Sequence, residues 1–246
     1  ANVGMVRDGK WLDIDKDGDE DLILAIQWDG IYCFENKGGL FTKRILTDKK
    51  GWWNMLYPTD IDNDGDMDFI IGNLGLNSRI KASIKEPVKM YVNDFDENGR
   101  PDQILTHFMN REQVLFADKK ELEKQMPFIR KKYNLSRDFA NANFMDILGK
   151  KLMTSATVFE ANYFNNAVLI NNGNWDFELK SLPTTAQLSP MNAATDINKS
   201  DYLLMGNFFE ANIQLGRYDA DFGGILHVVN DSTYVHSSIP NLKISG

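Results

Sequence analysis

Nine consecutive residues, Asp60-Ile61-Asp62-Asn63-Asp64-Gly65-Asp66-Met67-Asp68, place five aspartates at alternating positions around one glycine. Counted from Asp60, carboxylates stand at positions 1, 3, 5, 7 and 9, with Gly65 at position 6. Alternation lets short acidic side chains converge on one point, and glycine supplies the positive φ that turns the backbone back on itself. So many oxygens suit a hard cation. Side-chain oxygens of positions 1, 3, 5 and 9, the carbonyl of position 7 and water make a Ca²⁺ set, where Zn²⁺ would want nitrogen or sulfur.

An EF-hand begins the same way but needs a bidentate glutamate at position 12 within a helix-loop-helix. Position 12 here is Ile71, inside Phe69-Ile70-Ile71, which reads as a buried strand. The loop therefore belongs to a β-hairpin. The pattern recurs upstream as Asp13, Asp15, Asp17, Gly18, Asp19 and Asp21 before Leu22-Ile23-Leu24, and downstream as Asp94, Asp96, Asn98, Gly99, Arg100 and Asp102 before Gln103-Ile104-Leu105. Asn98 and Arg100 make the third loop the least acidic. A fourth copy, Asp196-Ile197-Asn198-Lys199-Ser200-Asp201, is shortened, lacks the glycine, and reads as a degenerate loop that has lost its metal. Two or three bound Ca²⁺ ions are expected.

The rest of the chain must position these loops. Its net charge of −8 disfavours a nucleic-acid partner, and thirteen of the thirty-five acidic residues are register aspartates of the three good loops. Metal accounts for the acidity better than a partner does. No apolar run is long enough for a membrane span. Cys33 is the only cysteine, so no intrachain disulfide forms, and Ile31-Tyr32-Cys33-Phe34 reads as a buried strand. The chain starts at Ala1 in mid-pattern, as expected of a processed or excised piece of something longer. Loops of modest calcium affinity suit an exported protein.

Strands are expected over residues 1–12, 22–27, 31–35 and 40–46, with turns at Trp28-Asp29-Gly30, at 36–39, and between blades at Asp48-Lys49-Lys50-Gly51. The pair Trp52-Trp53 reads as core rather than as a sugar platform. Residues 112–133 carry Leu115, Leu122, Met126 and Ile129 at helical spacing broken by Pro127, so two short helices are expected, with a further one over 136–148. That places a helical insertion at about 110–150 within a single domain spanning 1–246. Arg130-Lys131-Lys132 reads as a solvated face. Ala167 to Leu179 repeats the strand, glycine turn and aromatic strand order of Ile31 to Leu46. His107, His227 and His236 lack ligand spacing and read as structural, and no GxSxG, Walker or Cys-His pattern is present.

The repeated acidic loop entering an apolar strand resembles the FG-GAP/VCBS repeats of integrin α-like β-propellers. The segments GNLGLNS (72–78), KMYVNDFDENGRPDQIL (89–105), MPFIRKKY (126–133) and GNFFEANIQLGRYDADFG (206–223) look like bacterial VCBS-repeat proteins of the ASPIC/UnbV type. The resemblance implies an all-β propeller with about four blade signatures, small or part of a larger ring, carrying a helical insertion. It further implies an extracytoplasmic bacterial protein, secreted, periplasmic or at the cell surface, that binds a protein or carbohydrate ligand through a calcium-stabilised module. The alternative is a propeller-based polysaccharide lyase or hydrolase, for which Asp219 and Asp221 beside Arg217 and Tyr218 are the candidate cluster.

Overall fold

The computed structural model describes residues 3–208, 215–230 and 233–239. They are mostly β-structure, arranged as four antiparallel sheets of four strands each. In chain order, β1 (Met5–Leu12), β2 (Asp21–Gln27), β3 (Asp29–Lys37) and β4 (Leu40–Gly51) form a meander. β5 (Met55–Thr59) and β6 (Asp68–Gly72) follow as a hairpin around the second acidic loop. The chain then builds β7 (Val88–Asn93), β8 (Asp102–Met109) and β9 (Glu112–Leu115), five short helices, and β10 (Thr157–Ala161), which closes this sheet beside β7. The helices are α1 (Lys119–Gln125), α2 (Phe128–Lys132), α3 (Ser136–Ala140), α4 (Phe144–Leu148) and α5 (Lys150–Ser155). β11 (Ala167–Asn171) and β12 (Phe177–Ser181) complete the β5–β6 sheet, and β13 (Ala193–Asn198), β14 (Asp201–Met205), β15 (Gly224–Asn230) and β16 (Thr233–Ser238) form the last.

The chain divides into two compact units, residues 1–79 with 163–246 and residues 80–162, where the repeats had suggested one domain. The insertion is correspondingly larger than a helical piece at 110–150. It carries the whole sheet β10-β7-β8-β9, with the helices confined to Lys119–Ser155. Residues 112–115, expected to be helical, are strand β9. Asn110 and Arg111 both have positive φ, the signature of a two-residue hairpin turn, and they fold β9 back onto β8.

In the first unit, the β5–β6 sheet is covered on both faces. Phe69, Ile71, Ala167 and Leu169 pack with Ile23, Ala25, Ile31 and Cys33 of the first sheet. Ile70, Val168 and Ile170 point the other way, onto Tyr202, Leu204 and Leu226 of the last sheet. Successive strand residues face opposite sides, so a strand buried on both must be apolar throughout, which explains the unbroken runs at 69–71 and 167–170. Trp53 is fully buried, and Trp52 lies between the rings of Trp28 and Phe164, so both tryptophans serve packing. The expected interblade turn at Asp48–Gly51 is instead the end of β4, because Gly51 pairs with Asp29 and accepts the Trp28 N–H. The turn before β3 thereby narrows to Trp28 alone, at φ 68°.

In the second unit, Phe95, Ile104, Leu122, Met126, Ile129, Phe139, Ile147 and Leu148 form a separate core. Lys132 caps the end of α4, donating to the Asp146 carbonyl at 2.6 Å, while Arg130 and Lys131 are exposed. Among the described residues no helix is long and apolar enough to cross a membrane.

Burial holds the Cys33 thiol far from its ordinary range, pushed up to about 12. The thiolate is the reactive form. Native protein at pH 8 is therefore expected to leave Cys33 unlabelled by iodoacetamide over hours, with one equivalent incorporated once urea unfolds the chain. Labelling of the native chain at the rate of a free thiol would contradict the buried strand.

Candidate metal centres

Each acidic loop is pinned at both ends. At position 2 the side chains of Ile14, Ile61 and Phe95 enter the core. At position 9, Asp21 accepts the Ile14 and Asn36 backbone N–H groups at 3.1 and 2.7 Å. Asp68 accepts those of Ile61 and Asn171 at 2.9 and 2.8 Å. Asp102 accepts the Phe95 N–H at 3.0 Å, but its other oxygen receives the Gln125 side-chain amide at 3.1 Å. The exception has a cause in the strand lengths. β9 ends with Leu115 opposite Thr106, so it supplies no backbone amide beside Asp102, and the helix α1 side chain takes that place.

Between these anchors the three loops share one path. Lys16, Asn63 and Glu97, all at position 4, have φ of 60°, 61° and 57°. The glycines at position 6 lie at 99°, 95° and 84°, and a Cβ on any of them would meet nothing within 4 Å. The backbone angle, not space, demands glycine. The turn directs the Gly18, Gly65 and Gly99 N–H groups onto position 1, at 3.0, 3.1 and 2.7 Å from Asp13, Asp60 and Asp94. Asp15, Asp62 and Asp96 each accept the N–H two residues on, as do Asp17, Asp64 and Asn98. These are Asx-type turns, which hold the carboxylates inward while the chain bends.

The result is three groups of converging oxygens: Asp13, Asp15 and Asp17; Asp60, Asp62 and Asp68; Asp94, Asp96 and Asp102. Within each group one oxygen per residue lies within 4.8 Å of the others. The first group takes position 5 where the other two take position 9. Position 7 contributes no side chain: the Asp19 carboxylate accepts the Gly38 N–H, Asp66 pairs with Lys16 of the first loop, and Arg100 is exposed. Oδ1 of Asp60 is buried with no hydrogen-bond donor among the described residues. Burial raises the pKa of Asp68 to about 6 and raises those of Asp102 and Asp15, the last helped by the charges of Asp17 and Asp21. Closely set carboxylates with an undonated buried oxygen fit a hard divalent cation, whose charge would reverse those shifts.

The fourth copy is a hairpin closed by its own side chains. Asn198 accepts the Ser200 and Asp201 N–H groups, Asp201 pairs with Asn198 and with His227 at 2.8 and 2.7 Å, and Asp196 accepts the Tyr57 hydroxyl at 2.6 Å. The candidate catalytic cluster is likewise structural in its contacts. Asp221 accepts the Gly206 and Gly223 N–H groups at 2.8 and 2.9 Å, and Tyr218 is buried with its hydroxyl 2.8 Å from Ser78 Oγ. Asp219 and Arg217 are exposed. Residues 209–214 of the GNFFEANIQLGRYDADFG segment lie outside the described residues.

Sequence reasoning passed over the amides that lock the strand ends. Buried Asn73 accepts the Trp52 and Leu74 N–H groups, donates to the Tyr163 carbonyl, and gives its own N–H to Asn166. Gln187 in turn bridges Asn166 and Leu182. A signal existed in the Gly-Asn pair, which stands at the end of β6 at 72–73 and just after β14 at 206–207. A Cβ on Gly72 or Gly206 would overlap the carbonyl of Met191 or Pro190.

Residues 13–71, covering the first two acidic loops and strands β2 to β6, match the family model of the FG-GAP-like repeat. No curated protein and no solved structure matches the chain.

The two classes of aspartate respond differently to truncation. In EGTA, Asp68→Ala strips the acceptor from two buried N–H groups and is expected to lower stability by about 3 kcal/mol. Asp64→Ala, which removes one exposed turn contact, is expected to cost less than about 1 kcal/mol. Urea denaturation of both variants measures the contrast, and equal losses would refute the fastening role of position 9.

Proposed function

We propose that the chain is a calcium-stapled, propeller-type interaction module of an exported protein, which presents a rigid β surface to a protein or carbohydrate ligand. The single observation that carries this reading is the convergence of oxygens in three loops of one register, with Asp60 Oδ1 buried and undonated. Asp13, Asp15 and Asp17, then Asp60, Asp62 and Asp68, then Asp94, Asp96 and Asp102 would hold the ions. Bound Ca²⁺ supplies the counter-charge that lets buried carboxylates stay ionised. The chain's own part is to hold those oxygens in place through the turn amides and the position-9 anchors. A cation that binds the folded loops and not the unfolded chain raises stability by mass action.

The FG-GAP-like repeat at 13–71 supports the interaction-module class. Millimolar calcium outside the cytoplasm suits loops of this kind. A hydrolase would need two carboxylates free to act on a glycosidic bond. Both oxygens of Asp221 are engaged by backbone amides, so no observation favours that second reading.

The test is calorimetric melting during calcium titration, with Asp62→Ala and Asp15→Ala beside the parent. At 100 times the dissociation constant each site is expected to add about 2.7 kcal/mol. The parent melting temperature should therefore climb by several degrees per site, and each variant should lose part of that rise. A melting temperature indifferent to calcium and EGTA would refute the metal reading.

A further inference from the structure

The second unit contains a cavity of about 1030 Å³ bounded on one side by β9 and the chain that follows it, and on the other by the α3–α4 segment. Leu115 and Phe116 line the strand side, and Phe139 and Phe144 the helical side. Among the described residues β9 is the edge of its sheet, paired only with β8.

The pairing fixes which backbone groups of β9 point to the open edge of the sheet. Met109 and Glu112 flank the two-residue turn, so they exchange hydrogen bonds, as do His107 and Val114 two residues further on. The Phe116 N–H donates to the Leu105 carbonyl at 2.9 Å, which continues the same alternation. Gln113 and Leu115 lie at the intervening, non-bonded positions, so their N–H and C=O groups point away from β8. Among the described residues these groups have no hydrogen-bond partner.

We infer that this edge takes an extended segment of a partner polypeptide, which lies antiparallel or parallel to β9 and adds a fifth strand to the sheet. Two donor-acceptor pairs at a two-residue repeat match the backbone of an extended chain, and a compact ligand has no such row of groups. The apolar walls would receive alternate side chains of the incoming strand. Charge selects the residues at its two ends: Glu112 stands at the start of β9, while Lys120, exposed and without an acidic partner among the described residues, stands beyond its end. A segment with a basic residue toward Glu112 and an acidic one toward Lys120 is therefore favoured. The inference names a partner class and surface for the interaction module, and it rests on that class but not on calcium, since no residue of the three acidic loops lines the cavity.

The test selects displayed random short peptides on the intact chain and follows the synthesised winners by amide hydrogen exchange. The Gln113 and Leu115 amides are expected to slow by about tenfold or more on binding, while Glu112 and Val114, already bonded to β8, change little. N-methylation scanned along the peptide should weaken binding by about tenfold at alternate residues and by less than about threefold between them. Failure to select any peptide, protection elsewhere, or a methylation scan without alternation would overturn the inference. Each winner is measured with calcium and with EGTA. Edge binding in a chain whose melting ignores calcium would refute only the metal reading, and calcium stabilisation without edge binding would refute only this one.

Discussion

Asp21, Asp68 and Asp102 each sit where an acidic turn becomes a strand, and each uses its two oxygens to join the turn to itself and to a neighbouring element. One oxygen takes the N–H of the residue whose side chain enters the core, so the turn cannot swing without pulling Ile14, Ile61 or Phe95 out of its packing. The other reaches across the sheet at Asp21 and Asp68, and to the Gln125 side chain of α1 at Asp102. Burying a carboxylate is unfavourable, and two N–H donors offset much of that cost. Strand register, loop shape and the direction of the remaining carboxylates all follow from this joint.

The constraint also separates two roles within one motif. Position 9 is fixed by protein donors whether or not a cation is present. Positions 1, 3 and 5 accept turn amides yet keep oxygens directed inward, and Asp60 retains one with no donor among the described residues. The loops are thus shaped by backbone geometry first, and the acidic cluster is held together against its own repulsion by the anchored ends. This is preorganisation of the kind that reduces the cost of assembling a site.

Much of this was legible in the residues. Alternating aspartates with glycine at position 6 marked the turns, and a short apolar run after each marked the strand, because both depend on local backbone angles and period-two burial. The similarity of residues 167–179 to 31–46 marked two further strands, which the structure places in the β5–β6 sheet, where Asn171 plays beside Asp68 the part of Asn36 beside Asp21. What escaped was non-local. Leu115 fits a helical stripe with Leu122 and Met126, yet the positive φ of Asn110 and Arg111 makes it a strand residue. Gln125 gives no sign in sequence that it replaces a missing backbone amide, because the need arises only from the shortness of β9.

The splitting of one sheet bears on the order in which the chain can fold. β6 is complete at Gly72, but its partner β11 begins at Ala167, and the hydrogen bond from Asn171 to Asp68 joins residues 103 apart. During synthesis the first meander can assemble from contiguous strands, while β6 emerges with one edge open and must wait through the entire intervening unit. That unit owns a complete sheet and core, so its early collapse would shorten the effective loop and bring 79 and 163 within reach of each other. Until then the apolar run Phe69-Ile70-Ile71 is an exposed edge of the type that pairs wrongly, and the charges crowded just before it act as a guard against aggregation.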